Sequence, residues 1–169
     1  TLGNRSGVTN VSTGFVYLRP LNVAVVRAKG PYSQSASEAW ENMFSWLHSS
    51  GLIRDIGTGY GLLLDDPRIV SPANCRYEAC VELVEEARRL LPMTFSIRRL
   101  PGGAYARERH VGGAVGLSHT ISKLRNEWTP GQNVVIDSRR PVIEIYLDNP
   151  DLVPLEKQDL TSVPPPQVP

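Results

Sequence analysis

The sequence predicts an α+β fold. Two pseudo-symmetric β-α-β-β repeats would share one curved antiparallel sheet of about eight strands, with two main helices and a ligand cleft at the seam. Three observations predict it. The chain nearly repeats itself: Gly30 is matched by Gly112, Trp46 by Trp128 and Pro67 by Pro150, offsets of 82 to 83 residues. Each copy runs from an alternating apolar segment through an amphipathic one to further alternating segments. Neither copy, at about 70 residues, buries much core alone, so the two must share one.

The opening residues, TLGNRSGVTNVSTG (1–14), are polar, glycine-rich and without periodicity, and read as a tail or linker. A single folded domain is expected over 15–164, with repeat one at 15–89 and repeat two at 93–164. In repeat one, Ala24, Val26 and Ala28 alternate along a strand Val23–Lys29. A helix is expected to begin near Ser35, because Ser35-x-x-Glu38 has the capping-box pattern. Ala36, Ala39, Trp40, Met43, Phe44, Trp46 and Leu47 then fall on one broad face, and Gly51 is a stop signal. Strands Tyr60–Leu64 and Arg76–Leu83 follow, with Asp65-Asp66-Pro67 as the turn after the first. Val84–Leu91 reads as a helical turn or two, stopped by Pro92. Repeat two has a helix over roughly Ala114–Glu127, with Leu117, Ile121 and Leu124 inward. Its strand Val142–Leu147 ends in Asp148-Asn149-Pro150, and a last short strand lies near Leu160–Val163. Residues 165–169 are a proline-rich extended tail.

Composition removes several function classes. With 18 Lys and Arg against 17 Asp and Glu, the net charge is +1, which argues against a dedicated nucleic-acid binder. No apolar run approaches the ~20 residues of a membrane span. Cys75 and Cys80 are too few for a disulfide framework, so a reduced cytoplasmic protein is the default. His48, His110 and His119 have no ligand spacing, so neither a metal nor a cofactor is expected. Asp65-Asp66-Pro67 and Asp148-Asn149-Pro150 read as turns rather than paired catalytic carboxylates, and no catalytic residue stands out. The glycines of GTGYG precede no helix, so a phosphate-cradling loop is a poor reading of them.

The blocks VAVVRAKGPY, AWENMFSWL, GYGLLLDDP, RYEACV, RRLPGGAYARERHVGG and IEIYLDNP, in that order, resemble the gyrase-inhibitor-like (GyrI-like) small-molecule-binding family. The same fold serves as the effector-binding domain of AraC- and MerR-type transcription regulators. The resemblance covers about Phe15 to Pro164. It implies a cleft between the halves that takes aromatic, often cationic, drug-like molecules, with a central acid that pairs with the ligand's charge. The family's acid lies in the pattern E-x-Y-x-x-D/N-P, here Glu144, Tyr146 and Asn149-Pro150. The matching position in copy one is Gly61, expected to leave room for the ligand. Two features depart from the family. His110-Val111-Gly112-Gly113 lacks the usual Pro and Tyr, and Glu108 stands where an apolar residue is usual. Glu108 either points into the cleft as a second acid or pairs with a nearby Arg.

A carboxylate in the apolar run Val142–Leu147 is costly unless something pairs with it. Glu144 is therefore either a cleft acid awaiting a cation or an ordinary glutamate, on an edge strand facing water or bound to Arg139 or Arg140. Among the aromatics, Trp46, Tyr60, Tyr77, Tyr105 and Tyr146 are candidates to line the cleft, whereas Trp40 sits mid-stripe and reads as core. The expected function is a binding module for cationic, aromatic or amphipathic small molecules. It would act as a stand-alone sequestering protein or as the sensor of a regulator, as a homodimer or beside a fused or partner DNA-binding domain. The alternatives are a GyrI-like hydrolase of cyclopropane-containing genotoxins and a gyrase-modulating interaction protein.

Overall fold

The computed structural model describes residues 13–110, 116–146, 160–163 and 166–167. It is an α+β fold built on one eight-stranded antiparallel sheet. The strands are β1 (Gly14–Leu18), β2 (Leu21–Lys29), β3 (Ile56–Leu63), β4 (Arg76–Leu83), β5 (Ser96–Leu100), β6 (Gly103–His110), β8 (Val142–Tyr146) and β9 (Leu160–Val163). A separate two-stranded sheet joins β7 (Val135–Ile136) to β10 (Pro166–Gln167), so part of the expected proline-rich tail is paired. The helices are α1 (Tyr32–Ser49), α2 (Leu117–Lys123) and α3 (Thr129–Gly131), and a π-helical turn over Leu124–Trp128 joins the last two.

The strand order is β1-β6-β9-β8-β3-β4-β2-β5, which has the same form read from either end. The pairing register carries the sequence offset. Val26 pairs with Ala79 and Glu108 with Ser162, while Gly61 pairs with Ala79 and Glu144 with Ser162. The central pair of the β3–β8 seam is Gly61 opposite Glu144. The expected equivalences of Gly30 with Gly112 and of Pro67 with Pro150 each involve a residue outside the described ones.

The outer strands depart from a plain tandem repeat. β1 leads into β2 through two residues yet pairs with β6, and β5 leads into β6 yet pairs with β2. Each half thus takes its edge strand from the chain segment that opens the other. The links cross closely: a Cβ on Gly102 would stand 2.5 Å from Pro20 Cδ.

Alternation sorts the core into two faces. Ala24, Val26, Ala28, Tyr77, Ala79 and Val81 pack under Ala39, Trp40, Met43 and Leu47 of α1. Val23, Val25, Leu62, Cys80, Leu100, Tyr105 and Ile143 form a second cluster on the other face. Cys75 and Cys80 are both free and buried. The helix α1 begins at Tyr32 rather than at Ser35. The Pro31 carbonyl already accepts the Gln34 and Ser35 N–H groups at 2.9 and 2.8 Å, and Ser35 is buried within the first turn rather than capping it. Gly51, at φ +72°, stops the helix as expected, and the Leu52 N–H bonds back to the Leu47 carbonyl at 2.9 Å.

Candidate functional site

A cavity of about 410 Å³ opens between α1 and the α2–π-turn segment, over the β3–β8 seam. Its size is that of a small-molecule site. One wall is Tyr32, Ala36 and Trp40, spaced at i, i+4 and i+8 on α1. The other is Leu117, Ile121 and Arg125, with Ser118, Ser122 and Asn126 beside them. Tyr77, Glu144 and Tyr146 form the floor, and Asp66, Pro67 and Arg68 form part of the rim.

Glu144 is only 4% exposed. Its Oε2 accepts the Tyr146 hydroxyl at 3.0 Å and the Tyr77 hydroxyl at 3.3 Å. The two phenol oxygens lie 3.1 Å apart, and the Trp40 indole N–H donates to the Tyr77 oxygen at 2.9 Å. Among the described residues no Lys, Arg or His pairs with this carboxylate. Arg139 bonds Asp137 at 3.0 Å, and Arg140 lies over the Tyr105 ring at 4.2 Å. Burial pushes the Glu144 pKa up to about 7, against the downward pull of the Tyr146 and Tyr77 hydroxyls. Burial, and then the Glu144 charge, raise both phenols well above their ordinary value, so they remain donors.

A second buried glutamate gives the contrast. Glu78, 2% exposed on the opposite face of the sheet, is clamped by Arg27 at 2.8 Å and Arg98 at 2.6 Å. One buried acid has two guanidinium partners built into the fold; the other has hydroxyls and an open cavity.

Aromatic rings surround Glu144. Trp40 meets Tyr146 edge-on at 5.1 Å, and Tyr32 meets Tyr77 edge-on at 6.3 Å. Gly61 faces this cluster. A Cβ there would overlap the Tyr77 hydroxyl and stand 2.9 Å from Glu144 Oε2. The glycine therefore makes room for the acid's own hydrogen-bond partners rather than directly for a ligand. Gly59, two residues earlier on the same face, leaves space for the Trp40 ring, which would stand 3.2 Å from an added Cβ.

The structure brings together Glu144, Tyr77, Tyr146 and Gly61 and leaves the other candidates elsewhere. Tyr60 lies on the opposite face, in a second cavity with Glu82, Ile143 and Ile145, because it is one residue out of phase with Gly61. Tyr105 shares that face and donates to the Pro101 carbonyl at 2.8 Å. Trp46 packs edge-on against Phe95 at 5.1 Å, beyond the cavity. Glu108 shares its strand face with His110, which bonds Thr120 of α2 at 2.9 Å. Glu108 thus faces the helices, but it is half-buried and is not among the residues lining the cavity. Trp40, read as core, is both core and cavity wall. Tyr32 was hidden because the helix was expected to start after it. Arg125 extends the Leu117–Ile121 stripe by one more step of four, a signal the sequence carries.

The profile of the GyrI-like small molecule binding domain matches residues 13–161. The chain belongs to the GyrI-like family. Its GyrI-like domain is 28% identical over 135 residues to YosT, an SPbeta prophage-derived protein of Bacillus subtilis (strain 168) whose name proposes a transcriptional regulator. That match spans 76% of this chain and 84% of YosT. Several solved structures share the fold. The EcmrR C-terminal domain superposes with a TM-score of 0.69 at 11% identity, covering 92% of this chain and 97% of that one. A hydrolase encoded by lin2189 of Listeria innocua gives 0.64 at 14%, covering 92% and 91%. SAV2435 bound to tetraphenylphosphonium gives 0.58 at 14%, covering 92% and 94%. No helix among the described residues of the GyrI-like chain is long and apolar enough to cross a membrane.

Proposed function

We propose that the cavity binds cationic, aromatic or amphipathic small molecules, with Glu144 as the counter-charge. One observation carries this reading: a buried carboxylate with no cationic partner among the described residues faces an open cavity walled by Trp40, Tyr32, Tyr77 and Tyr146. A buried charge is costly unless paired, and a flat cation supplies both the pairing and the ring contacts. SAV2435, whose structure holds an aromatic phosphonium cation, supports the ligand class by fold likeness alone. The name given to YosT supports a sensing role in regulation. DNA recognition would then belong to a separate domain or partner.

The test is rhodamine 123, a planar aromatic cation, with its neutral dihydro form as control. Glu144→Gln should weaken rhodamine 123 by about 1.5–3 kcal/mol, roughly 10- to 100-fold, and leave the neutral form nearly unchanged. Trp40, in the cavity wall, should report binding by quenching, and the signal should survive Trp46→Phe. Equal rhodamine 123 affinity in the wild type and the Gln variant would remove Glu144 from the site.

The same geometry favours a second reading. A carboxyl with pKa about 7, held by two phenols, suits general acid–base work. The hydrolase lin2189 has a similar fold. Turnover of a cyclopropane substrate that is abolished in Glu144→Gln would move the chain into the enzyme class.

A further inference from the structure

The cavity has a charged floor and a charged mouth of opposite sign. At the mouth stand Asp66, Arg68 and Arg125. Arg68 is already engaged: its Nη2 pairs with Asp66 at 2.8 Å, its Nε with the same carboxylate at 3.1 Å, and its Nη1 donates to Asn126 at 3.2 Å. Asp66 is thereby neutralised. Arg125 has no hydrogen bond or ion pair to any described residue, although it is half-buried and lines the cavity. Its charge reaches Asp66 only through space, helping to hold that carboxyl low after the direct Arg68 bonds have done most of the work.

The backbone holds Arg125 there. Residues four apart lie on one face of a helix, so Leu117, Ile121 and Arg125 form a column opposite that of Tyr32, Ala36 and Trp40 on α1. The column ends in a wider π-helical turn over Leu124–Trp128. Leu117, Ile121 and Arg125 all reach the cavity, as do Ser118, Ser122 and Asn126. The wide turn is fixed at its far end. The Leu124 carbonyl accepts the Thr129 N–H, five residues on, and also the Thr129 hydroxyl at 2.7 Å. Trp128 packs on Phe15 with ring centroids 5.2 Å apart.

We infer that Arg125 forms an anion subsite at the cavity mouth, so that the molecules this site takes best are zwitterionic aromatics. The positive end goes down to Glu144, and a carboxylate or similar oxyanion stays at the mouth on the Arg125 guanidinium. This rests on the reading of Glu144 as the counter-charge. It adds a prediction that reading does not make: an added negative charge on the ligand should improve binding. A guanidinium matches a carboxylate in a two-pronged geometry that Asn126 and the serines beside it can supplement.

Rhodamine 110 and rhodamine 123 test it, since they differ only by a free carboxylate in place of its methyl ester. At pH 7.5 and low salt the wild type should bind rhodamine 110 about tenfold tighter than rhodamine 123. Added salt should shrink that ratio, because the mouth is solvent-exposed. Arg125→Gln should bring the ratio to about one by weakening rhodamine 110 more than rhodamine 123, and Arg125→Lys should keep part of the preference. Rhodamine 123 binding that depends on Glu144, with no preference for rhodamine 110, would overturn the anion subsite alone. A preference that persists in Arg125→Gln would overturn it too. Failure of both dyes to bind would overturn the reading of the cavity and the subsite with it.

Discussion

Glu144→Gln should raise the stability of the unliganded protein at pH 8 by about 3 kcal/mol, a melting-temperature increase of roughly 6–12 °C for a domain of this size. The carboxyl's pKa rises from an ordinary 4.5 to about 7 on folding. Between those values the native state holds a proton that the unfolded chain has lost, so wild-type stability falls as pH rises from about 4.5 through about 7. Every tenfold difference in proton affinity between the folded and unfolded chain is worth about 1.36 kcal/mol, and the full penalty is present above about pH 8. Glutamine keeps the shape and carries no charge, and the Tyr77 and Tyr146 oxygens can accept its N–H groups. The variant should therefore match the wild type near pH 4.5 and exceed it increasingly toward pH 8. Thermal denaturation across that range checks it. Equal melting of the two proteins at pH 8 would mean that the buried carboxylate costs nothing, and so that something in the protein already neutralises it.

Gly61→Ala should destabilise by about 2–4 kcal/mol and weaken dye binding, although Gly→Ala within a strand is ordinarily favourable. The added methyl would overlap the Tyr77 hydroxyl and press on the Glu144 carboxylate. Overpacking alone costs about 1–3 kcal/mol. Moving Tyr77 also disturbs its bonds to Trp40 and Glu144, at about 1 kcal/mol each. Gly131→Ala is the control, since nothing lies within 4 Å of the added methyl there. Chemical denaturation of both variants checks it, and near-equal stability would show that the Tyr77–Glu144 cluster is loosely packed.

Most of the architecture was legible because strand alternation and the helical stripe survive in single residues. Arg76–Leu83 and Leu160–Val163 were expected with their observed bounds. Glu144 stood out because a charge in an otherwise apolar strand must be accounted for energetically. The exchange of β1 and β5 between the halves was not legible. A two-residue link such as Arg19-Pro20 suggests a local hairpin, and only the register shows that β1 pairs with β6 instead. The site's walls were harder to read than its floor. Parity along a strand places Tyr77, Glu144 and Tyr146 on one face once the register is known. Tyr60 and Tyr105 lie on the other face, which a tyrosine's type does not reveal. A broad helical stripe has two edges, and the edge that holds Trp46 meets Phe95 rather than the seam.

The most direct test of the central claim, that Glu144 is a buried acid held for a ligand's positive charge, is the proton balance of binding. Rhodamine 123 is titrated calorimetrically at pH 6 in buffers of differing ionisation enthalpy. With a free-protein pKa of about 7, Glu144 is mostly protonated at pH 6, and a bound cation favours the ionised form. The wild type should release between about half and one proton per dye bound, and Glu144→Gln should release none. Tight binding by the wild type with no proton release would contradict the account.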